Sequence, residues 1–284
     1  MEKQTSTEKQ QHQAQDASQE KELHSAEHAA DKNISKGEEN KMKQERIIGD
    51  FHTILEEGKV WKIGGFPLPD GSFWEYREPE AVVIVRNGIL YVRAPLSRKH
   101  DEIQILDNAK HMYYSVEQIK VPEAGEVSFE LQIRARTRNT VPGDLYDGYV
   151  SLNLLDFSTG GALDFFAGND QYATVYAVLP FPGVKVPDTD KTKYFCIFKE
   201  DTNFKPGEFN TYKITYHRGK DEVVFYVNGE EVRREQNVPV KFNQFTIALG
   251  IMTEKDLTPE GSVSVHGQTV IGEWSPVKVT LSEQ

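Results

Sequence analysis

Gly160-Gly161-Ala162-Leu163-Asp164-Phe165-Phe166-Ala167-Gly168-Asn169 reads as a short strand bounded by glycines. Side chains alternate across a strand, so Leu163 and Phe165 share one face while Ala162, Asp164 and Phe166 share the other. Asp164 is therefore a lone carboxylate between apolar neighbours. Thr159-Gly160-Gly161 is a turn between strands and not a phosphate loop, because no helical pattern follows it.

Outward from this strand the same two-residue period continues nearly throughout Arg46–Gln284. Ala81–Arg86 and Ile89–Arg93 flank Asn87-Gly88, and Val223–Val227 and Glu230–Arg233 flank Asn228-Gly229. Asn and Gly accept the positive φ angles of a type I′ turn, so both pairs predict tight hairpins. Further strands are expected at Val127–Arg136, Tyr149–Asp156, Tyr172–Leu179, Lys193–Lys199, Thr211–His217, Gln244–Ile251 and Val277–Leu281. Within Asp101–Ser115 a strand at Glu102–Leu106 and a short helical turn are expected. This many strands at hairpin spacing, with few helices, predicts an all-β antiparallel sandwich of two sheets.

Residues 1–45 differ in kind. They are rich in Gln, Lys, Glu, Ser and Ala and carry no aromatic residue. Such a segment buries too little apolar surface to offset its ordering entropy, so a disordered polar tail followed by one sandwich domain over 46–284 is expected. The chain carries a net charge of −11, of which about −8 lies outside the tail. That balance, without a basic stripe among aromatics, argues against nucleic acid and anionic membranes as partners. Cys196 is the only cysteine. It sits in a strand pattern, so no disulfide, thiolate metal site or other metal or cofactor site is expected. With no apolar leader at the start, the expected setting is the cytoplasm.

The strand around Asp164 resembles the catalytic strand of the laminarinase-type β-glucanases, whose pattern is E-x-D-x-E. Here the aspartate position is Asp164, and the two glutamate positions read Ala162 and Phe166. The run Asp147–Asp156 is similar to the preceding strand of that family. Tyr212-x-Ile214-x-Tyr216 with Val224–Val232 resembles the penultimate hairpin of concanavalin A-like lectin and glucanase domains. The resemblance implies a jelly-roll sandwich with ligand on a concave sheet. It does not carry over catalysis, because retaining hydrolysis needs two carboxylates about 5 Å apart. β-Glucanase activity is therefore not expected.

Alternation also selects candidate groove residues. Glu130, Gln132 and Arg134 oppose the apolar face of Val127–Arg136, and Tyr149, Ser151 and Asn153 oppose Val150 and Leu152. Tyr172 and Tyr176 are assigned opposite Ala173 and Val175. If these strands are neighbours in one sheet, Glu130, Gln132, Arg134, Asn153, Asp164, Tyr172 and Tyr176 form one surface. Carboxylate, amide, guanidinium and aromatic faces suit a carbohydrate or other polyhydroxylated small molecule. Two functional readings follow. One is a non-catalytic carbohydrate-binding module. The other is an enzyme with non-glucanase acid/base chemistry on a sugar-like or small cyclic substrate in the concave groove. In that second reading Asp164 or Glu130 is the acid/base, assisted by His100 or His111 from the polar run His100–His111. Ligand identity and oligomeric state are not encoded in these patterns.

Overall fold

The computed structural model describes residues 43–53, 55–97 and 106–283. Residues 1–42, most of the expected tail, lie outside the described residues, as does nearly all of the expected Glu102–Leu106 strand. In chain order the strands are β1 (Lys43–Ile48), β2 (Trp61–Ile63), β3 (Gly65–Pro67), β4 (Phe73–Glu75), β5 (Val82–Arg86), β6 (Ile89–Pro95), β7 (Lys110–Lys120), β8 (Gly125–Arg138), β9 (Tyr149–Asp156), β10 (Gly161–Ala167), β11 (Gln171–Val178), β12 (Lys193–Lys199), β13 (Asn210–His217), β14 (Glu222–Val227), β15 (Glu230–Gln236), β16 (Gln244–Met252), β17 (Thr269–Trp274) and β18 (Val277–Glu283). Every expected strand with described residues is present.

Six strands depart from expectation: β2, β3 and β4 are three-residue strands where none was expected, and β1, β7 and β17 are the other three. β1 begins at Lys43, inside the expected tail, because Lys43 to Ile48 pair antiparallel with Ser282 to Val277 of β18. β7 occupies the end of Asp101–Ser115, where a short helical turn was expected and none forms among the described residues. Its first residues are buried on both faces, which erases the alternation that would have announced a strand. β17 went unrecognised for a related reason: four of its six residues are apolar or glycine, and Ile271 interrupts the polar face that Thr269 and Glu273 would make.

The antiparallel strands form two large sheets. One has the order β12-β11-β10-β9-β16-β7-β2. The other follows β15-β14-β13-β8-β17-β6-β5, and β18 lies beside β8 and carries β1 at its outer side. Both Asn-Gly hairpins form: Asn87 and Gly88 have φ of 53° and 74°, and Asn228 and Gly229 have 50° and 86°. These values are the positive-φ pair that a type I′ turn requires.

The sheets meet through a continuous apolar core. Leu163 and Phe165 of β10 point into it, and Phe165 packs edge-on against Tyr212 and Phe225 of the opposite sheet, at centroid distances of 4.9 and 5.4 Å. Phe129 and Phe245 make a similar contact at 5.5 Å. One polar link crosses the same layer: the buried Trp274 indole N–H donates to the Ser151 carbonyl at 3.1 Å. The Trp274 ring lies over Gly272, where a Cβ would come within 2.3 Å of it, so the glycine makes room for the clamp.

Trp274 thus joins β17 of one sheet to β9 of the other. Trp274→Phe keeps most of the packing but leaves the Ser151 carbonyl dry and without its indole donor, so a loss of about 1–3 kcal/mol is expected. Trp274→Ala removes the ring as well and should cost about 3–5 kcal/mol. Urea denaturation with an unchanged m-value checks both.

Candidate functional site

The register of β10 decides what surrounds Asp164. It lies opposite Asn153 of β9 on one side and Val175 of β11 on the other. Asn153 in turn lies opposite Ala248 of β16. The next row holds Gly250, Ser151, Phe166 and Ala173. The outer face of the seven-stranded sheet is therefore floored by small side chains around one carboxyl and one amide.

Aromatic rings stand at both ends of this floor. On one side Tyr149 stacks on Phe166 at 4.2 Å, Phe166 meets Phe195 at 5.9 Å, and Phe195 stacks on Tyr146 at 5.0 Å. On the other, Tyr114 meets Tyr76 at 6.5 Å and Phe157 at 5.7 Å, and Phe157 meets Phe181 at 5.3 Å. Tyr114, Tyr149 and Phe166, with Met112, Leu155, Ala162 and Met252, belong to a second apolar cluster, separate from the inter-sheet core, and Tyr76 and Phe195 pack against it.

Asp164 is buried within that cluster, and its Oδ1 has no hydrogen-bond partner among the described residues. Desolvation, reinforced by the charge of Glu254, raises its pKa well above the carboxylate range, against a backbone N–H of Leu154. Burial of this kind favours the protonated acid, the form that can act as a donor. Asn153 is oriented beside it, with Nδ2 donating to Ser151 Oγ at 2.8 Å. Tyr149 donates its hydroxyl to Glu254 at 2.8 Å. Lys110, on the same face of β7 as Met112 and Tyr114, sits 4.7 Å from the Tyr76 ring centroid. Desolvation pushes its pKa down to about 8, opposed by Glu254.

The seven expected groove residues do not share one surface. Asn153 and Asp164 do. Glu130, Gln132 and Arg134 lie on β8, whose Val127, Phe129, Leu131 and Ile133 fill the core, so their polar face is the outer face of the other sheet. There Arg134 makes a two-pronged ion pair with Glu273, and Glu130 stands between Lys213 and Lys278 in register. Arg134 is thus no partner for Asp164.

Tyr172 and Tyr176 point the opposite way from expectation. Because Leu163 aligns with Tyr176 and Ala167 with Tyr172, both tyrosines enter the inter-sheet core. Tyr172 stacks on Phe198 at 4.7 Å and donates its hydroxyl to Asp201. Ala173 and Val175 take the outer face. Both faces of β11 are buried, so its sequence pattern carried no sidedness.

His100 lies outside the described residues. His111 is buried on the face of β7 opposite Lys110, with Nδ1 accepting the Glu78 N–H at 3.1 Å. Desolvation lowers its pKa to about 4. It cannot serve Asp164 across the thickness of the sheet. His266 is a structural staple: its Nε2 lies 3.0 Å from both carboxylate oxygens of Asp147.

Lys110, Tyr149 and Glu254 are the polar groups that sequence reading missed as site residues. Tyr149 had been placed on the correct face. Only the pairing of Met252 with both Lys110 and Tyr149 brings the others toward it.

Residues 48–283 match a family described as "Family of unknown function (DUF6081)". No curated protein matches the chain in sequence. Among solved structures it is similar to the catalytic domain of an endo-1,3-beta-glucanase (laminarinase) from Thermotoga petrophila RKU-1, with a TM-score of 0.55 and 14% identity over 86% of this chain and 100% of that one. It is also similar to an endo-1,3-beta-glucanase from Streptomyces sioyaensis, with a TM-score of 0.53 and 13% identity over 84% and 96% of the two chains. For a Bacillus licheniformis beta-glucanase the values are 0.52, 10%, 86% and 98%. The fold is the concanavalin A-like jelly roll that the strand resemblance implied.

Asp164 gives a signed pH dependence. Below about pH 4, the ordinary carboxyl range, folded and unfolded chains both hold the proton and ionisation adds nothing to the cost of burial. As pH rises through that value toward the raised folded pKa, only the unfolded chain ionises, so stability is lost. Each tenfold difference in acidity is worth about 1.4 kcal/mol. Asp164→Asn should therefore melt higher than the parent at pH 7–8, and the difference should shrink toward zero near pH 4. A pH-independent difference in melting temperature would count against a buried, protonated Asp164.

Proposed function

The chain belongs to the DUF6081 family, and from that premise we propose that it is a non-catalytic binding protein for a carbohydrate or other polyhydroxylated small molecule. The observation that carries this reading is the outer face of β10. Where the resembling enzymes have two glutamates, this strand has Ala162 and Phe166, and its one carboxyl is buried, which favours its protonated form. Glycoside hydrolysis by the two-carboxylate route needs a charged nucleophile or base together with an acid. Asp164 alone supplies neither pair. It does supply a hydrogen-bond donor beside the Asn153 amide, above a floor of small residues and between part-exposed rings of Tyr146, Phe195 and Phe181. Ring faces stack on the C–H side of a sugar, while the amide and carboxyl pair with its hydroxyls.

A second reading rests on a separate observation. Asp164 and Lys110 are both displaced toward neutral pH, from opposite ends of the scale, around the Tyr149–Glu254 hydrogen bond. Groups whose environments move their pKa values in this way are suited to acid/base work. On this reading Asp164 is the proton donor and Lys110 or Glu254 the acceptor, acting on a small cyclic substrate. His111 and Glu130 take no part, because they lie on other faces.

A glycan array and a metabolite library, read by thermal shift, test the binding reading, since a ligand of the native state raises the melting temperature by mass action. Asp164→Asn should weaken a ligand so found at least tenfold, equivalent to about 1.4 kcal/mol. Laminarin and mixed-linkage glucan should release no reducing sugar above background. Release that vanishes in Asp164→Asn would overturn the non-catalytic reading. Turnover of a library compound that follows a group titrating near pH 8 and is lost in Lys110→Met would favour the second.

A further inference from the structure

We propose that the open edge of β5 is a docking site for an acidic, extended peptide segment of a partner protein, which joins the nine-stranded sheet as an additional antiparallel or parallel strand. The site lies on the other sheet from Asp164 and is independent of the function proposed for that face.

The backbone geometry comes first. Arg86 and Ile89 flank the two-residue turn and form its hydrogen-bonded pair, so in alternation Val82 and Ile84 also bond to β6. The N–H and C=O groups of Val83 and Val85 then point away from β6, and no strand pairs with them among the described residues. A row of unpaired backbone groups is a template for another strand.

Sheet edges are usually protected, and the other edges here follow that rule. β15 is Glu230-Glu231-Val232-Arg233-Arg234-Glu235-Gln236, and its register shifts beside Phe225 and Tyr226. β1 is charged through most of its length, β12 begins and ends in lysine, and β2 has only three residues. β5 is Val82-Val83-Ile84-Val85-Arg86, in unbroken register with β6, without lysine, proline or bulge. Val82 is 43% and Ile84 45% exposed, which is a cost for a chain whose other edges are protected.

The side-chain surroundings select an extended occupant. A strand beside β5 sends alternate side chains above and below the sheet. Above, an open groove of about 470 Å³ is lined by Ile84, Tyr91 and Phe209 with Arg86, Arg93 and Arg134. Below, a second groove of about 440 Å³ lies between Val83, Val85, Leu55 and Tyr113, beside the Glu57–Arg77 ion pair. An added strand therefore finds one receiving groove on each side, the arrangement by which strand addition gains specificity.

Charge selects the partner. Glu273 in the upper groove is already engaged by Arg134 and Arg136, while Arg86 and Arg93 have no ion pair among the described residues. The free charge of the groove is positive within a chain of net charge −11. Acidic side chains above and apolar ones below complement it. A second copy of this chain would instead bring two sets of Arg86 and Arg93 together.

The test uses the full chain and a fluorescein-labelled octapeptide of alternating Glu and Val, read by fluorescence anisotropy. Controls are a Lys-Val octapeptide and a block peptide of four Glu followed by four Val. The Glu-Val peptide should bind at least tenfold tighter than either control, weaken with added salt, and protect the Val83 and Val85 amides from hydrogen exchange. Val83→Pro removes an outward N–H without touching the β6 ladder and should reduce binding at least tenfold. If that variant fails to fold, Arg86→Glu, at an exposed position, should give the same loss. Equal binding of the three peptides, or binding unchanged in the folded variants, overturns the proposal. So does a dimer in sedimentation that dissociates in Val83→Pro, which would assign the edge to a second copy.

Discussion

The central strands β9, β10 and β11 of the seven-stranded sheet are buried on both faces, and the rest of the molecule's chemistry follows from that. Every residue of β9, β10 and β11 is buried. One face closes against the other sheet through Phe165, Tyr172 and Tyr176, and the other is packed by Phe166, Tyr149, Phe195 and their neighbours. A sheet with one wet face can tolerate a carboxylate there at little cost. Where the strands are dry on both sides it is costly, and burial raises the Asp164 pKa, favouring the protonated form.

The same dryness organises the groups around it. Tyr149 finds Glu254, Asn153 finds Ser151, and Lys110 rests its ammonium near the Tyr76 ring. None of these pairs places a formal opposite charge in hydrogen-bond contact with Asp164. The face is a hydrogen-bonding surface with displaced acidities, and the positions two residues either side along the strand from Asp164 are the apolar Ala162 and Phe166. Small residues at Ala248, Gly250 and Ala173 keep the floor low, so the flanking rings rise above it.

The two sheets manage exposure differently. The Trp274–Ser151 hydrogen bond and the Phe165 contacts fix the layers together. Polar residues on the outer face of the nine-stranded sheet are balanced locally, as Glu273 is by Arg134 and Arg136. Beside β5, Arg86 and Arg93 have no ion pair among the described residues and stand next to apolar β-branched side chains.

The architecture was legible in the sequence because its signals are local. Asn87-Gly88 and Asn228-Gly229 specify their turns through φ alone, and the clean alternation of Val127–Arg136 specifies its core face. The apolar neighbours of Asp164 at Ala162 and Phe166 were equally plain. Sidedness and adjacency were not legible. Tyr172-Ala173-Thr174-Val175-Tyr176 has no polar face, so only its register with Leu163 and Phe165 turns the tyrosines inward. Glu130, Gln132 and Arg134 alternate correctly but on the other sheet, because strand order is set by which apolar faces meet at long range. Lys110 and Glu254 reach the Asp164 face only through pairings across β16, between segments more than a hundred residues apart in sequence. Period and turn chemistry are properties of a few consecutive residues, whereas the companions of a buried carboxyl are decided by the packing of the whole sandwich.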